Sequence, residues 1–187
     1  MCPPGPPPLR FVDCGAFDGD TLKQLADTGL AVEAVAAFEP DPMNFVRLAH
    51  HVRSERVSLP ETVSLFPCGV HSSTEQLRFS SGQGTGSHTS PSGDTVIQCV
   101  SLDEAIPCFR PNLIKMDIEG AEYGALWGAR HTLEEHRPGL AICVYHRPEH
   151  LWQIPILLRH WNLGYRFHLR AHGFNGFDLV LYAIPTS

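Results

Sequence analysis

No stretch of this sequence approaches the roughly 18 consecutive apolar residues that a membrane-spanning helix requires. The opening residues, MCPPGPPPLR, have no apolar core, so a signal peptide is not expected. Basic charge is also scarce. Lys and Arg number 14 against 20 Asp and Glu, for a net charge of -6. That balance argues against nucleic acid or an anionic membrane as a partner. The chain has 6 cysteines (Cys2, Cys14, Cys68, Cys99, Cys108 and Cys143) but no CxxC pair. Cys14, Cys99 and Cys143 lie in apolar runs, where a free thiol behaves as a small hydrophobe. A disulfide framework is therefore not expected, and a reducing, cytoplasmic compartment is. Internal repeats are lacking too.

What remains is an ordinary globular composition, 43% hydrophobic and 18% charged over 187 residues. One domain of that size buries roughly 70% of the surface of its unfolded chain, enough for a core without staples. Residues 1–8 are proline-rich, favour extended geometry and read as a disordered tail. Residues 9–187 read as a single domain.

Strands and helices alternate along it. Leu9–Cys14 is a strand. Asp20 caps a helix that stops at Gly29, with Leu22, Leu25 and Ala26 on its buried face. Val32–Phe38 is apolar apart from Glu33, as in a strand buried on both faces. Asp41 and Pro42 then form an N-cap and a first helical residue, with Phe45, Leu48, Ala49 and Val52 at helical spacing. Strands follow at Thr62–Phe66, Leu77–Phe79 and Thr95–Val100. The Ser/Gly-rich residues 80–94 read as a mobile loop that can act as a lid. Asn112–Asp117 is a strand, and a helix runs from Gly120 to about Glu135. Gly120, Gly124 and Gly128, with Ala121, Ala125 and Ala129, let that helix lie close against a sheet. Leu140–Tyr145 is the next strand. Pro155 divides the following segment into a turn and a helix over 155–162. Tyr165–Arg170 alternates apolar and polar and closes a hairpin with Phe177–Ile184. The pattern predicts an α/β protein with a parallel sheet and helices on both faces. Ligands of such sheets bind beyond the carboxyl ends of the strands.

At the first such end, FVDCGAFDGDT puts Asp13 at the strand tip and brackets a turn with Gly15 and Gly19. Glycine there lets the backbone bend tightly and approach a ligand. Glu39, at the neighbouring strand tip, is spaced to accept hydrogen bonds from ribose hydroxyls. A dinucleotide calls for GxGxxG, but Phe17 stands where the middle glycine belongs, which disfavours a nicotinamide dehydrogenase. Asp18 and Asp20 would repel a pyrophosphate. They suit a ligand with an ammonium and a sulfonium, the charge pattern of S-adenosylmethionine.

The stretches VDCGAFDGDT, AFEPDPMNFVRL, VSLDE, IKMDIEGAEYGALWGA, LAICVYHRPEHLWQIP, LRAHGF and LVLYAIP resemble the FkbM family of methyltransferases. The resemblance covers nearly the whole chain after residue 9. It implies a Rossmann-like class I methyltransferase fold, with a mostly parallel seven-stranded sheet and an antiparallel C-terminal strand. It also implies O-methylation of a hydroxyl on a sugar or secondary metabolite, so the partner is a small-molecule or saccharide acceptor. By motif, Asp13, Gly15, Ala16 and Gly19 would line the methionine end of the donor, in one turn with Phe17, Asp18 and Thr21. Glu39 would meet the ribose, Pro40, Asp41 and Asn44 the adenosine, and Cys68, Gly69 and Val70 the adenine. Asp117 would sit beside the methyl donor. The family carries more chain before its first motif, so a substrate-covering N-terminal element is expected to be missing.

Methylating an alcohol requires positioning and removal of a proton. KMDIEGAE supplies Asp117, Glu119 and Glu122 at a strand tip, and Tyr145-His146 lies at the adjacent one. His146 is the expected general base, since histidine titrates nearest neutral pH. Asp117 either orients it or binds the donor's ammonium. Glu119 joins the catalytic set, and Glu122 reads as a helix N-terminal carboxylate favoured by the dipole. Alternatively Asp117, Glu119 and His146 hold a divalent ion such as Mg²⁺, which lowers the pKa of the hydroxyl. His88, Arg170 and His172 are the expected acceptor contacts. Two other readings stay open. One is a binding module that retains the donor without turnover. The other is a metal-dependent hydrolase built on Asp117, Glu119 and His146.

Overall fold

The computed structural model describes residues 7–54, 59–60, 62–80, 88–89, 95–173 and 178–186. The first elements are β1 (Leu9–Cys14), α1 (Asp20–Asp27), β2 (Val32–Phe38), α2 (Pro42–Ser54) and β3 (Thr62–Phe66). Then come β4 (Gly69–Val70), β5 (Glu75–Ser80), β6 (His88–Thr89), β7 (Thr95–Val100) and α3 (Leu102–Ala105). The chain closes with β8 (Leu113–Met116), α4 (Glu122–Gly128), α5 (Arg130–His136), β9 (Gly139–Cys143), α6 (His150–His160), β10 (Tyr165–Ala171) and β11 (Leu179–Pro185).

Seven of these strands form one sheet in the order β10-β11-β9-β8-β1-β2-β3. The pairs among β9, β8, β1, β2 and β3 are all parallel. Strand β11 is antiparallel to both β9 and β10. This is the expected Rossmann-like α/β architecture. Its cause is visible in β2, whose last five residues, Ala34–Phe38, are all buried. Ala36 and Phe38 pack with Val12 and Cys14 on the face covered by α4 to α6. Val35 and Ala37 pack with Phe11, Leu22 and Leu48 on the face covered by α1 and α2. Phe38 also stacks on Phe66 of β3, with centroids 4.4 Å apart. Burying one side chain of that size contributes roughly 1.5–3 kcal/mol. The chain order reverses between β1 and β8, so their carboxyl ends open the crevice where such folds hold ligands.

Several elements depart from the sequence reading. A second sheet, β4-β7-β5-β6, branches off after β3. It absorbs part of the expected loop, because His88–Thr89 pairs with Phe79 and Ser80 of β5. The rest of 80–94, like residues 1–6 of the proline-rich tail, lies outside the described residues. Asp20 is the first residue of α1 rather than its cap, and Gly19 holds the N-cap position with φ 93°. The helix expected over 120–135 is broken at Ala129. Asp103 of α3 causes the break from outside: its carboxylate accepts from the backbone N–H groups of His131 and Thr132, each at 2.9 Å. Those groups are the unsatisfied donors of a new helix start. Gly128 faces this junction closely, since a Cβ there would stand 2.1 Å from the carbonyl oxygen of His71. The glycine stripe thus serves the β4 segment as well as the main sheet. Finally, Pro155 lies inside α6 instead of starting it. Burial of Ile154, Leu157 and Leu158 on one face holds the helix together despite the lost N–H. No described helix is long and apolar enough to cross a membrane.

Candidate functional site

The site begins where β1 ends. The N–H groups of Gly15 and Ala16 both donate to Phe38 O, at 3.0 Å each, and the Asp117 N–H donates to Cys14 O at 3.0 Å. These bonds lock the tips of β1, β2 and β8 together. Gly15 has φ 81°, and a Cβ on it would lie 1.9 Å from Asp117 O. Only glycine fits that approach.

Asp13 is fully buried beneath this turn. Its Oδ1 pairs with Lys115 Nζ at 3.0 Å, and the same ammonium donates to Gly15 O at 3.0 Å. Burial opposes the charge on Lys115, but the carboxylates of Asp13 and Asp117 outweigh it and hold its pKa above the ordinary lysine value. The Asp13 carboxylate is enclosed, with Oδ1 tying β1 to β8 through Lys115 and Oδ2 buried without a hydrogen-bond partner among the described residues. Lys115 was missed because a lysine in the apolar run LIKM looks like a solvent-facing residue. The buried charge opposite it lies 102 positions away in the chain.

Glu39 stands at the tip of β2 as expected. Oε2 accepts from the Phe17 N–H and Oε1 from the Asp41 N–H, both at 2.9 Å. Each oxygen retains a lone pair for a further donor. Burial pushes this carboxyl up to about 7. Asp41 caps α2 by accepting from the N–H groups of Met43 and Asn44, so its side chain is committed to the helix. Asn44 and Ala16 are buried, while Pro40, Phe17 and Thr21 are half-buried around the same turn. Asp18 lines a cavity of about 380 Å³ against Val46, Arg47, His50 and His51 of α2. Cys68, Gly69 and Val70 are buried, and Gly69–Val70 pairs with Cys99–Val100 of β7. The side chains of Cys68 and Val70 pack into the core cluster of the main sheet.

On the other side of the crevice the expected catalytic residues come together. His146 Nε2 lies 3.5 Å from Asp117 Oδ1 and 3.4 Å from Glu119 Oε2. The left-handed pair Glu119 and Gly120, at φ 55° and 95°, bends the turn after β8 and brings Glu119 to the imidazole. Two points of geometry follow. First, the His146 side chain is only 7% exposed, against 34% for Asp117 and 28% for Glu119. The carboxylates face the crevice and the histidine stands behind them. Second, Glu122 opens α4 as expected, yet it is enclosed and has further partners. It is fully buried, and its Oε1 accepts from His146 Nδ1 at 2.9 Å and from the N–H groups of Ile118 and Gly120. Its Oε2 lies 3.1 Å from Nδ1 of a second buried histidine, His150. Against the penalty of burial, these histidines hold Glu122 down at about 2. Burial acts to lower the pKa of His146, but Glu122, Glu119 and Asp117 prevail and raise it above 6.5. His150 was missed because HRPEH reads as a loop, and only the α6 fold-back turns it inward.

The donor set does not fit the alternative of a divalent ion. Among the described residues, no group of three or more His, Cys, Asp and Glu side chains is arranged to hold a metal. His146 Nε2 lies between the two carboxylates without a hydrogen bond to either among the described residues. Of the expected acceptor contacts, Arg170 and His172 are exposed near the end of the β10–β11 hairpin. Their end of the hairpin lies beside the tip of β9, because the Val144 N–H donates to Leu179 O. His172 Nε2 bonds Tyr182 Oη at 2.8 Å. The backbone of His88 lies in β6, paired with Ser80 of β5.

Comparison with known proteins agrees with this geometry. Residues 13–174 match the methyltransferase FkbM domain. Over 106 residues the chain is 34% identical to the hexuronic acid methyltransferase AglP of Haloferax volcanii, a match that covers 54% of this chain and 43% of that protein. The crystal structure of methyltransferase FkbM from Methylobacillus flagellatus KT superposes with a TM-score of 0.79 at 30% identity, over 95% of this chain and 44% of that one. A precorrin-6y C5,15-methyltransferase from Geobacter metallireducens GS-15 shares the fold alone, with a TM-score of 0.59 at 10% identity over 96% of this chain and 81% of that one. The chain spans less than half the length of the first two. With its match running from the first strand tip to the last hairpin, the chain belongs to the FkbM methyltransferase domain family.

Proposed function

We propose that this protein transfers the methyl group of S-adenosylmethionine to a hydroxyl oxygen of a sugar. The observation that carries the reading is the tight glycine bend at the β1–β8 crevice, walled by Glu39 on one side and by Asp117 and Glu119 on the other. A strand-tip turn flanked by carboxylates suits a cationic adenosyl donor and repels a pyrophosphate. Glu39 would accept from the ribose hydroxyls, Gly15 and Ala16 would leave room for the methionine chain, and Asp117 would face its ammonium. When bound, the donor supplies an electrophilic methyl carbon. The protein holds the acceptor in line with it and removes the hydroxyl proton. Glu119 takes that proton at a carboxylate oxygen, and His146 Nε2, 3.4 Å behind it, receives and holds it. Arg170 and His172 would contact the acceptor at the hairpin. The sugar class is supported by the likeness to a hexuronic acid methyltransferase. The five described cysteines are all free, in keeping with a reducing cytoplasm.

Labelled methyl transfer from S-adenosylmethionine to a panel of neutral and acidic sugars tests the reading. Label should appear on at least one sugar and vanish in Glu119→Gln. Label on protein or RNA acceptors alone would overturn the sugar assignment.

A further inference from the structure

The pair Glu122 and His150 lies outside the roles assigned so far, although both side chains are buried in the middle of the candidate site. A helix N-terminal carboxylate normally faces solvent, and an unpaired charge at full burial is costly. This one has three donors on Oε1 and a histidine close to Oε2. Ile118 N at 3.1 Å and Gly120 N at 3.3 Å reach Oε1 from the turn that carries Glu119. His146 Nδ1 reaches the same oxygen at 2.9 Å, and His150 Nδ1 lies 3.1 Å from the other. One carboxylate therefore holds both the turn bearing Glu119 and the ring behind it.

We infer that Glu122 is the positioning residue of the proton relay, fixing His146 with its proton on Nδ1 and its Nε2 aimed at Glu119, with His150 lying beside the second carboxylate oxygen. The logic is that of any histidine whose partner at one ring nitrogen decides what the other can do. With Nδ1–H donated to Glu122, the neutral ring presents a bare Nε2. That atom is buried and has no hydrogen-bond partner among the described residues. The groups facing His146 are Asp117 and Glu119 from the turn after β8, Glu122 from α4, and the neighbouring Tyr145 ring, centred 4.1 Å away. Its pKa, raised above 6.5, agrees with three carboxylates around one imidazole.

The inference rests on the proposed methyl transfer, but its test does not need turnover. Nitrogen-15 NMR of labelled histidine reads the protonation of each ring nitrogen directly. In the unaltered chain, His146 should carry its last proton on Nδ1 at alkaline pH. In Glu122→Gln, which keeps size and an acceptor oxygen, the midpoint of His146 should fall by at least one pH unit, a tenfold loss in proton affinity. In Glu122→Asp, which keeps charge but withdraws it by one methylene, Nδ1 and Nε2 should share the proton. Affinity for S-adenosylhomocysteine should stay within about twofold in both, while transfer to the best sugar of the panel should fall about 100-fold in kcat. An unchanged His146 signal in either folded variant overturns the inference. If no sugar is methylated while the His146 signals change as stated, the functional reading fails and the positioning role stands.

Discussion

Replacing Gly15 with alanine tests how the crevice is built. Two costs are legible in the geometry. The first is the left-handed backbone, φ 81°, which costs an L-residue about 1–2 kcal/mol. The second is the new methyl group, 1.9 Å from the Asp117 carbonyl oxygen, where the obstacle is backbone and cannot rotate away. Forced shifts of that kind cost about 1–3 kcal/mol. Together they amount to about 2–5 kcal/mol, a large part of the stability of a domain. For a chain of this length that lowers Tm by roughly 4–20 °C. Gly29→Ala is the control: its φ is 67°, but nothing stands within 4 Å of the added carbon. It should cost only the backbone part. Thermal and urea unfolding of the two variants side by side isolate the close approach of β1 and β8. Equal melting temperatures would refute it.

Other consequences follow from buried charge and caps. Lys115→Met strands the fully buried Asp13 carboxylate and should cost about 3–5 kcal/mol in urea unfolding, whereas adding Asp13→Leu should recover part of the loss. Asp103→Ala removes the acceptor of two N–H groups at the start of α5 and should cost about 1–2 kcal/mol, measured the same way. With Glu39 pushed up to about 7, its ionised form is lost as pH falls through neutrality. S-Adenosylhomocysteine should therefore bind roughly tenfold more weakly at about pH 6 than at about pH 8 by calorimetry, and Glu39→Gln should flatten that dependence. The sign for folding is the opposite. A carboxyl raised from 4.5 favours the native state most when protonated, and that contribution is lost as pH climbs from about 4.5 to 7.

The strands and the crevice were legible because their signals are local. Five consecutive buried residues in β2 and the Asp41–Pro42 start of α2 can be read from adjacent positions. The glycine bend and Glu39 were equally plain. What escaped depends on distant partners. The break at Ala129 is set by Asp103, 28 positions before His131. The pairing of Asp13 with Lys115 joins residues 102 positions apart. Glu122 had the sequence of a helix start, and only the return of α6 shows that it is enclosed between two histidines. Pro155 read as a boundary because propensity favours one, while burial of three neighbours overrides it.

The central claim is that the glycine bend between β1 and β8 holds an adenosyl group against Glu39. Calorimetric titration with S-adenosylhomocysteine measures this most directly. The expected result is one saturable site per chain, weakened at least tenfold by Glu39→Gln with the fold intact. Absence of heat in the unaltered protein, or equal affinity in the variant, would contradict it.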